Sequence, residues 1–378
     1  MILERSALSL IFPMLLGGGI SLVILTGMIP KSEVNYDELA LGENNAVVYA
    51  QVDGVGIHCQ NFIDAAICFD GYRASSKEDV VLLLGNSQIH AINQKKHDEK
   101  TVVPILHRKF KENSKHFLAF SQPNASLQEH YLFFEYLITQ LPVSDLVLPV
   151  VFDDMRETGV RPELSDAFNN VLVSENLKKT SVGRILLANH NSNDSAGSEM
   201  SALKGTTQEG AEEVLNTGLE SIWHIWERRA ELRSTLYVAM YRFRNWIFGV
   251  NPSSVRKLIP AYYAVNQQSL EAILASAKNN NISVLLYVVP IRNDVKIPYD
   301  LKEYENFKQD IEKTALKYGV QFENFENIVP PEYWGEKNST GLSKGQELDF
   351  MHFQAAGHGI LANKIYRAFF NKENNRLR

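Results

Sequence analysis

Val80-Val81-Leu82-Leu83-Leu84-Gly85-Asn86-Ser87-Gln88 is the stretch on which the reading of this chain turns. Five consecutive aliphatic residues stopped by a glycine predict a short strand buried on both faces, the kind found in a parallel sheet. Ser87 then stands just past the carboxyl end of that strand. In open α/β sheets this is the edge at which ligands bind, so a serine placed there faces a site rather than the core. The run 89–94 reads as the start of a helix, whose first turn would offer free backbone N–H groups to a developing oxyanion. An ordinary strand-to-helix turn with an N-capping serine has the same local pattern, and this stretch alone does not separate the two.

A second signal lies near the other end of the chain. Asp349-Phe350-Met351-His352 sets a carboxylate and an imidazole three residues apart, directly before a helical pattern at 355–370. In a turn, that spacing lets the carboxylate accept the ring N–H and leaves the other ring nitrogen free to take a hydroxyl proton. Ser87, Asp349 and His352 are together the three parts of an activated serine nucleophile.

On these residues the chain resembles the SGNH/GDSL hydrolase superfamily. Gly85-Asn86-Ser87-Gln88 looks like its first block and Asp349-x-x-His352 like its last, and the two flank nearly the whole globular region. The resemblance implies an α/β fold: a three-layer α/β/α, flavodoxin-like domain on a mostly parallel sheet of about five strands, which the alternation of strand and helix patterns also favours. An α/β-hydrolase fold uses the same chain order, but its elbow wants glycine at Ile89 and its acid and base come from separate loops. The family's second block follows the strand predicted at 116–120, where a glycine amide normally helps bind the oxyanion. Here Ser121-Gln122-Pro123-Asn124 stands in its place, and Asn124 with the Ser87 amide is the expected oxyanion pair. At the third block, Asp153 replaces the family's asparagine donor, and an ionised carboxylate cannot donate. Either Asp153 is neutral or the donor comes from elsewhere, with Arg156 nearest; a surface ion pair between the two is the plainer reading. Arg292 or Asn293, in the strand-end loop 290–294, is expected to contact substrate. No cofactor is called for, and Cys59, Cys68 and His58 do not make up a zinc set.

Residues 6–30 carry no charge and are long enough to cross a hydrocarbon core of about 30 Å as a helix. The reading is therefore a membrane anchor over 1–30, with a cleaved signal peptide as the alternative. A membrane-proximal linker and cysteine loop over 31–75 comes next, then the catalytic domain over 76–372, with a helical insertion at 188–262. Positive charges around the span give a slight N-inside bias, which puts the bulk of the chain outside the cytoplasm, periplasmic or cell-surface. The only two cysteines, Cys59 and Cys68, suit a disulfide in such a compartment. A net charge of −6 disfavours nucleic acid as a partner. In this anchored layout the chain is most similar to the D-alanyl transfer proteins of teichoic acid systems and to alginate-type O-acetyltransferases. That similarity implies acyl transfer to a polysaccharide hydroxyl, beside a multispanning membrane acyltransferase. A carbohydrate or lipid esterase, and a non-catalytic assembly subunit on the same scaffold, are the alternatives.

Further strands are predicted at 46–55, 146–152, 283–289 and 320–325, and helices at 127–140, 265–277 and 301–318, the first opened by a Ser126/Glu129 capping box. Residues 189–210 read as a mobile loop and 326–348 as a polar loop. Between them, 212–248 reads as a basic amphipathic helix bearing Trp223, Trp226 and Trp246, either packed as core or laid on a membrane.

Overall fold

The computed structural model describes residues 45–75, 78–202, 255–338 and 346–376. The expected anchor and the Trp-bearing helix lie outside the described residues. Among the described residues no helix is long and apolar enough to cross a membrane. Apart from the last turns of α6, all the described elements fall in one compact unit, residues 41–196, 252–339 and 344–378.

The elements run β1 (Asn45–Val47), β2 (Gln51–Val52), β3 (Val55–Gly56), β4 (His58–Cys59), α1 (Asn61–Ser75), β5 (Val80–Gly85), α2 (Ser87–His90), β6 (Ala91–Asn93), α3 (Val102–Lys111) and β7 (His116–Ser121). They continue with α4 (Leu127–Gln140), β8 (Val143–Val150), α5 (Val171–Lys178), α6 (Ser181–Ala202), α7 (Pro260–Asn279), β9 (Ser283–Val288), α8 (Leu301–Tyr318), β10 (Gln321–Asn324), β11 (Trp334–Asn338), β12 (Gln346–Phe353) and α9 (Ala355–Arg376). Short 3₁₀ turns at Asp154–Arg156 and Pro162–Asn169 come after β8.

Six strands form one sheet in the order β4-β7-β5-β8-β9-β10. Every pairing in it is parallel. Val80 to Leu84 of β5 are fully buried, as a central strand covered on both faces must be. After β5 the chain steps to β7 on one side and then crosses back to β8 on the other. The order therefore reverses around β5, and the crevice that such a reversal opens at the strands' carboxyl ends is the usual ligand position. The helices form two contact groups, α3 with α9, and α4 with α5 and α7, the last also touching α8. The right-handed crossover rule assigns these groups to opposite faces of the sheet, which gives three layers.

Helices α4 and α8 keep the bounds read from the sequence because their ends are chemically marked. Ser126 and Glu129 close a reciprocal capping box on α4. Asp300 caps α8, and Gly319, at φ 68°, takes the left-handed turn that ends it. Other expectations change. In place of one strand over 46–55 there are the short strands β1, β2 and the start of β3, and the β2–β3 hairpin turns at Asp53-Gly54, both with positive φ. The loop expected at 189–210 is helical as far as Ala202, a continuation of α6. Within the loop expected at 326–348, Trp334–Asn338 and Gln346–Leu348 are strand, parts of the antiparallel β11–β12 pair.

Cys59 and Cys68 are disulfide-bonded, tying the edge strand β4 to α1 across a sequence separation of 9. A loop this short is expected to contribute about 2–3 kcal/mol through the unfolded chain. Reduction under native conditions should lower the thermal midpoint measurably, and an unchanged midpoint in the reduced protein would contradict the assignment.

Candidate active site

The nucleophile turn is narrow because β5 ends on a residue without a side chain. A Cβ at Gly85 would lie 2.5 Å from Ile89 Cγ1. Asn86 then caps the turn of helix after it: its Oδ1 accepts the Gln88 N–H at 3.0 Å, and its Nδ2 donates to Asp154 Oδ2 at 2.9 Å. The helix is shorter than its sequence suggests. It lasts only Ser87–His90 before the chain returns to the extended β6. A single turn carries little dipole, so the support expected from a helix starting over 89–94 is largely lost. Within Gly85–His90, Ser87 is the one residue that keeps partial exposure.

The acid and base arrive on the hairpin of β11 and β12. Trp334 pairs with Phe353 and Glu336 with Leu348, so two steps along β11 face five along β12. The surplus is a bulge at 349–352. Residues three apart on a regular strand point to opposite faces, and the bulge is what lets Asp349 and His352 meet. Asp349 Oδ1 accepts the backbone N–H groups of Met351 and His352, at 2.9 and 3.1 Å, which closes the bulge on itself. Asp349 Oδ2 lies 3.0 Å from His352 Nδ1, and His352 Nε2 lies 3.0 Å from Ser87 Oγ. A carboxylate only accepts, so Nδ1 carries the proton and Nε2 is left to accept from the Ser87 hydroxyl.

Asp349 is fully buried. Burial alone would raise its carboxyl, but the charge and hydrogen bond of His352, then Lys337 and the Met351 amide, outweigh that and hold it well below the usual carboxylate range. The bulge is pinned from two further strand ends. Gln88 Nε2 donates to the carbonyls of Pro290 and Met351, both at 2.8 Å. The Arg292 backbone N–H donates to the Phe350 carbonyl at 3.1 Å. The sequence suggests Arg292 as a substrate contact. Its guanidinium instead binds Asp294 through Nε and Nη2 and the Gly335 carbonyl through Nη1, so it braces the hairpin. Asn293 donates to Asn327 on an exposed surface.

The expected oxyanion set is only partly assembled. Asp153 is not a neutral donor: its two oxygens accept from Arg156, Arg256 and Tyr299. Arg156, expected as an oxyanion donor or substrate contact, is engaged with that carboxylate and, through Nε, with the Lys257 carbonyl at 2.8 Å, so the ion pair is formed. Asn124 stands exposed at φ 49°, its carbonyl held by Arg161. Gln88 N–H and Ile89 N–H are both taken by Asn86, through its side chain and its carbonyl. Asp154 escapes sequence reasoning, because one of two adjacent aspartates at a strand end carries no mark of burial. It is 3% exposed, and burial pushes its carboxyl well above the usual range against the opposing hydrogen bond from Asn86.

Behind the turn sits a buried polar cluster that also left no sequence signal. Ser121, the register partner of Gly85, has its Oγ 2.6 Å from His58 Nε2 and 2.8 Å from His90 Nδ1. Burial holds the His58 ring down to about 3 and the His90 ring well below its ordinary value, so both are neutral. Among the described residues no cluster of three or more His, Cys, Asp or Glu is arranged to hold a metal ion.

No protein family and no curated protein sequence matches this chain. Solved structures do resemble it distantly. A putative acylhydrolase from Bacteroides fragilis is 11% identical over 81% of this chain and 93% of that one, with a TM-score of 0.37. A GDSL-like lipase from Bacteroides thetaiotaomicron is 12% identical over 82% and 98%, at 0.38. A variant of an acetylxylan esterase from Geobacillus stearothermophilus is 10% identical over 78% and 94%, at 0.37. Likeness this remote carries no weight on activity, and the chemistry rests on the side chains themselves.

Proposed function

We propose that this protein is a serine acyl-transfer enzyme of the SGNH type. The observation that carries the reading is the continuous chain from Asp349 Oδ2 through both nitrogens of His352 to Ser87 Oγ, with both links at 3.0 Å and the acid fully buried. In the reaction His352 takes the Ser87 proton as Oγ attacks an ester or thioester carbonyl, and Asp349 stabilises the imidazolium. The tetrahedral oxyanion forms beside the Ser87 amide and collapses as the leaving group takes the proton from His352. The acyl-enzyme then passes its acyl group to a hydroxyl, of water in an esterase or of a sugar in a transferase.

A recess lined by Gly85, Phe120, Ser121, Ala125, His130 and Phe133 lies behind the turn, and Ser87 and His352 are not among its lining residues. Transfer to a cell-surface or secreted polysaccharide, outside the cytoplasm and beside a multispanning acyl-exporting partner, is the finer form of the proposal. The Cys59–Cys68 disulfide supports the compartment.

The test is acyl balance with a chromogenic acetyl ester. Acetate release without added glycan supports the esterase; acetylated oligosaccharide in excess over acetate supports the transferase. No reaction of wild-type Ser87 with ester or with a fluorophosphonate would leave the assembly-subunit reading in its place.

A further inference from the structure

Asp349 Oδ2 receives more than the ring of its own histidine. Asn45 Nδ2 lies 3.2 Å from it and Asn93 Nδ2 lies 3.4 Å from it. The two asparagines are register partners across the β1–β6 ladder, Asn45 opposite Asn93. Asn93 also donates to the Glu336 carbonyl at 3.1 Å, and a Cβ at Gly335 would overlap its amide, so the hairpin closes tightly on this side chain. The arm carrying Asn45 runs on along the nucleophile segment, where the Val48 N–H meets the His90 carbonyl at 2.8 Å. Three chain segments remote in sequence therefore converge on one carboxylate oxygen.

We propose that Asn45 and Asn93 are positioning residues of the triad, holding Asp349 and through it the His352 ring, so that the segment just ahead of the sheet is a working part of the active site. The chemistry favours amides for this task. A buried carboxylate needs donors, yet a cation at the same place would oppose the imidazolium that forms on His352. A side-chain amide donates without adding charge. The inference rests on the acyl-transfer reading, because it assigns the pair a role in that reaction.

The charged and titratable groups facing this centre are His352 itself, Lys337 on β11, His90 on α2 and His358 on α9. None of them changes in the test. Full-length wild type, Asn45→Ala, Asn93→Ala, the double variant and the isosteric Asn45→Asp are compared for kcat, KM and the pH profile of kcat/KM on an acetyl ester. Each alanine variant should lose roughly 10-fold in kcat, as partners that orient a working side chain do, with KM within about 2-fold. The double variant should lose less than the product, since both amides serve one oxygen. The acid limb should move to higher pH in the alanine variants, because Oδ2 with one donor fewer holds the protonated imidazole more strongly, whereas in Asn45→Asp the two buried carboxyls share a proton that donates to Oδ2 and the limb should stay nearer the wild type. Folded alanine variants with unchanged kcat and an unmoved limb would overturn the assignment. The downfield NMR resonance of the His352 Nδ1 proton decides independently of turnover: displacement in Asn45→Ala supports it, and an identical resonance overturns it. A wild type that fails to react with fluorophosphonate would remove the acyl-transfer reading while leaving that resonance to judge the contact.

Discussion

Replacing Ser87 by alanine is expected to abolish fluorophosphonate labelling and to lower ester turnover by about 10⁴-fold or more. The effect is large because attack, proton transfer and acyl-enzyme formation all pass through one oxygen, 3.0 Å from its base. Asp349→Asn should cost a similar factor, about 10⁴-fold, by a different route. An amide at that position can donate to His352 Nδ1, which puts the ring proton on Nε2 and points a donor at the serine hydroxyl. Turnover by Ser87→Ala within tenfold of wild type would place the nucleophile elsewhere. Ser121, flanked by His58 and His90, would then be the first residue to test.

The second large effect is acid lability. His58, His90, His130 and His358 are at most 5% exposed. Burial, helped by neighbouring charge, pushes His58 and His358 down to about 3, His130 down to about 4, and His90 well below its ordinary value. In the unfolded chain each takes up a proton near its ordinary value of about 6.5, so between there and about pH 4 the unfolded state binds more protons. Depressed values therefore mean stability that is present at neutral pH and lost as pH falls through this window. At pH 5 the loss is on the order of 2 kcal/mol for each of His58, His130 and His358, against a whole stability of about 5–15 kcal/mol for a typical domain, and His90 adds a loss of the same sign. Asp349, held low, adds its own loss only below the usual carboxylate range. Thermal midpoints measured from pH 7.5 to 4.5 should fall steeply below about pH 6. A flat profile would mean that these rings are open to water.

Ser87, Asp349 and His352 were legible because their chemistry is bound to local pattern: a strand of Val and Leu that must stop, and a carboxylate three residues from an imidazole. The partners that hold them were not. Gln88 belongs to the same motif, yet nothing local marks its amide as the tie between Pro290 and Met351, 202 and 263 residues away. Arg292 reads as a substrate contact because a cation at a strand end commonly is one; only the fold shows Asp294 and Gly335 around its guanidinium. Asp153 and Asp154 are adjacent and identical in the sequence, and the crevice gives one to arginines and buries the other.

Order along the chain and the burial of β5 follow from composition and spacing, since apolar runs and turn residues act over a few positions whatever surrounds them. Sequence alone therefore determined an α/β chain with a serine at a strand end and an Asp-x-x-His near its close. Tertiary structure decided the rest: a bulge that turns two side chains on one strand toward each other, and a meeting of β1, β6 and the hairpin around one carboxylate. Such contacts join residues up to 304 apart, and their energy depends on distance and burial, which have no representation in a linear order of residue types.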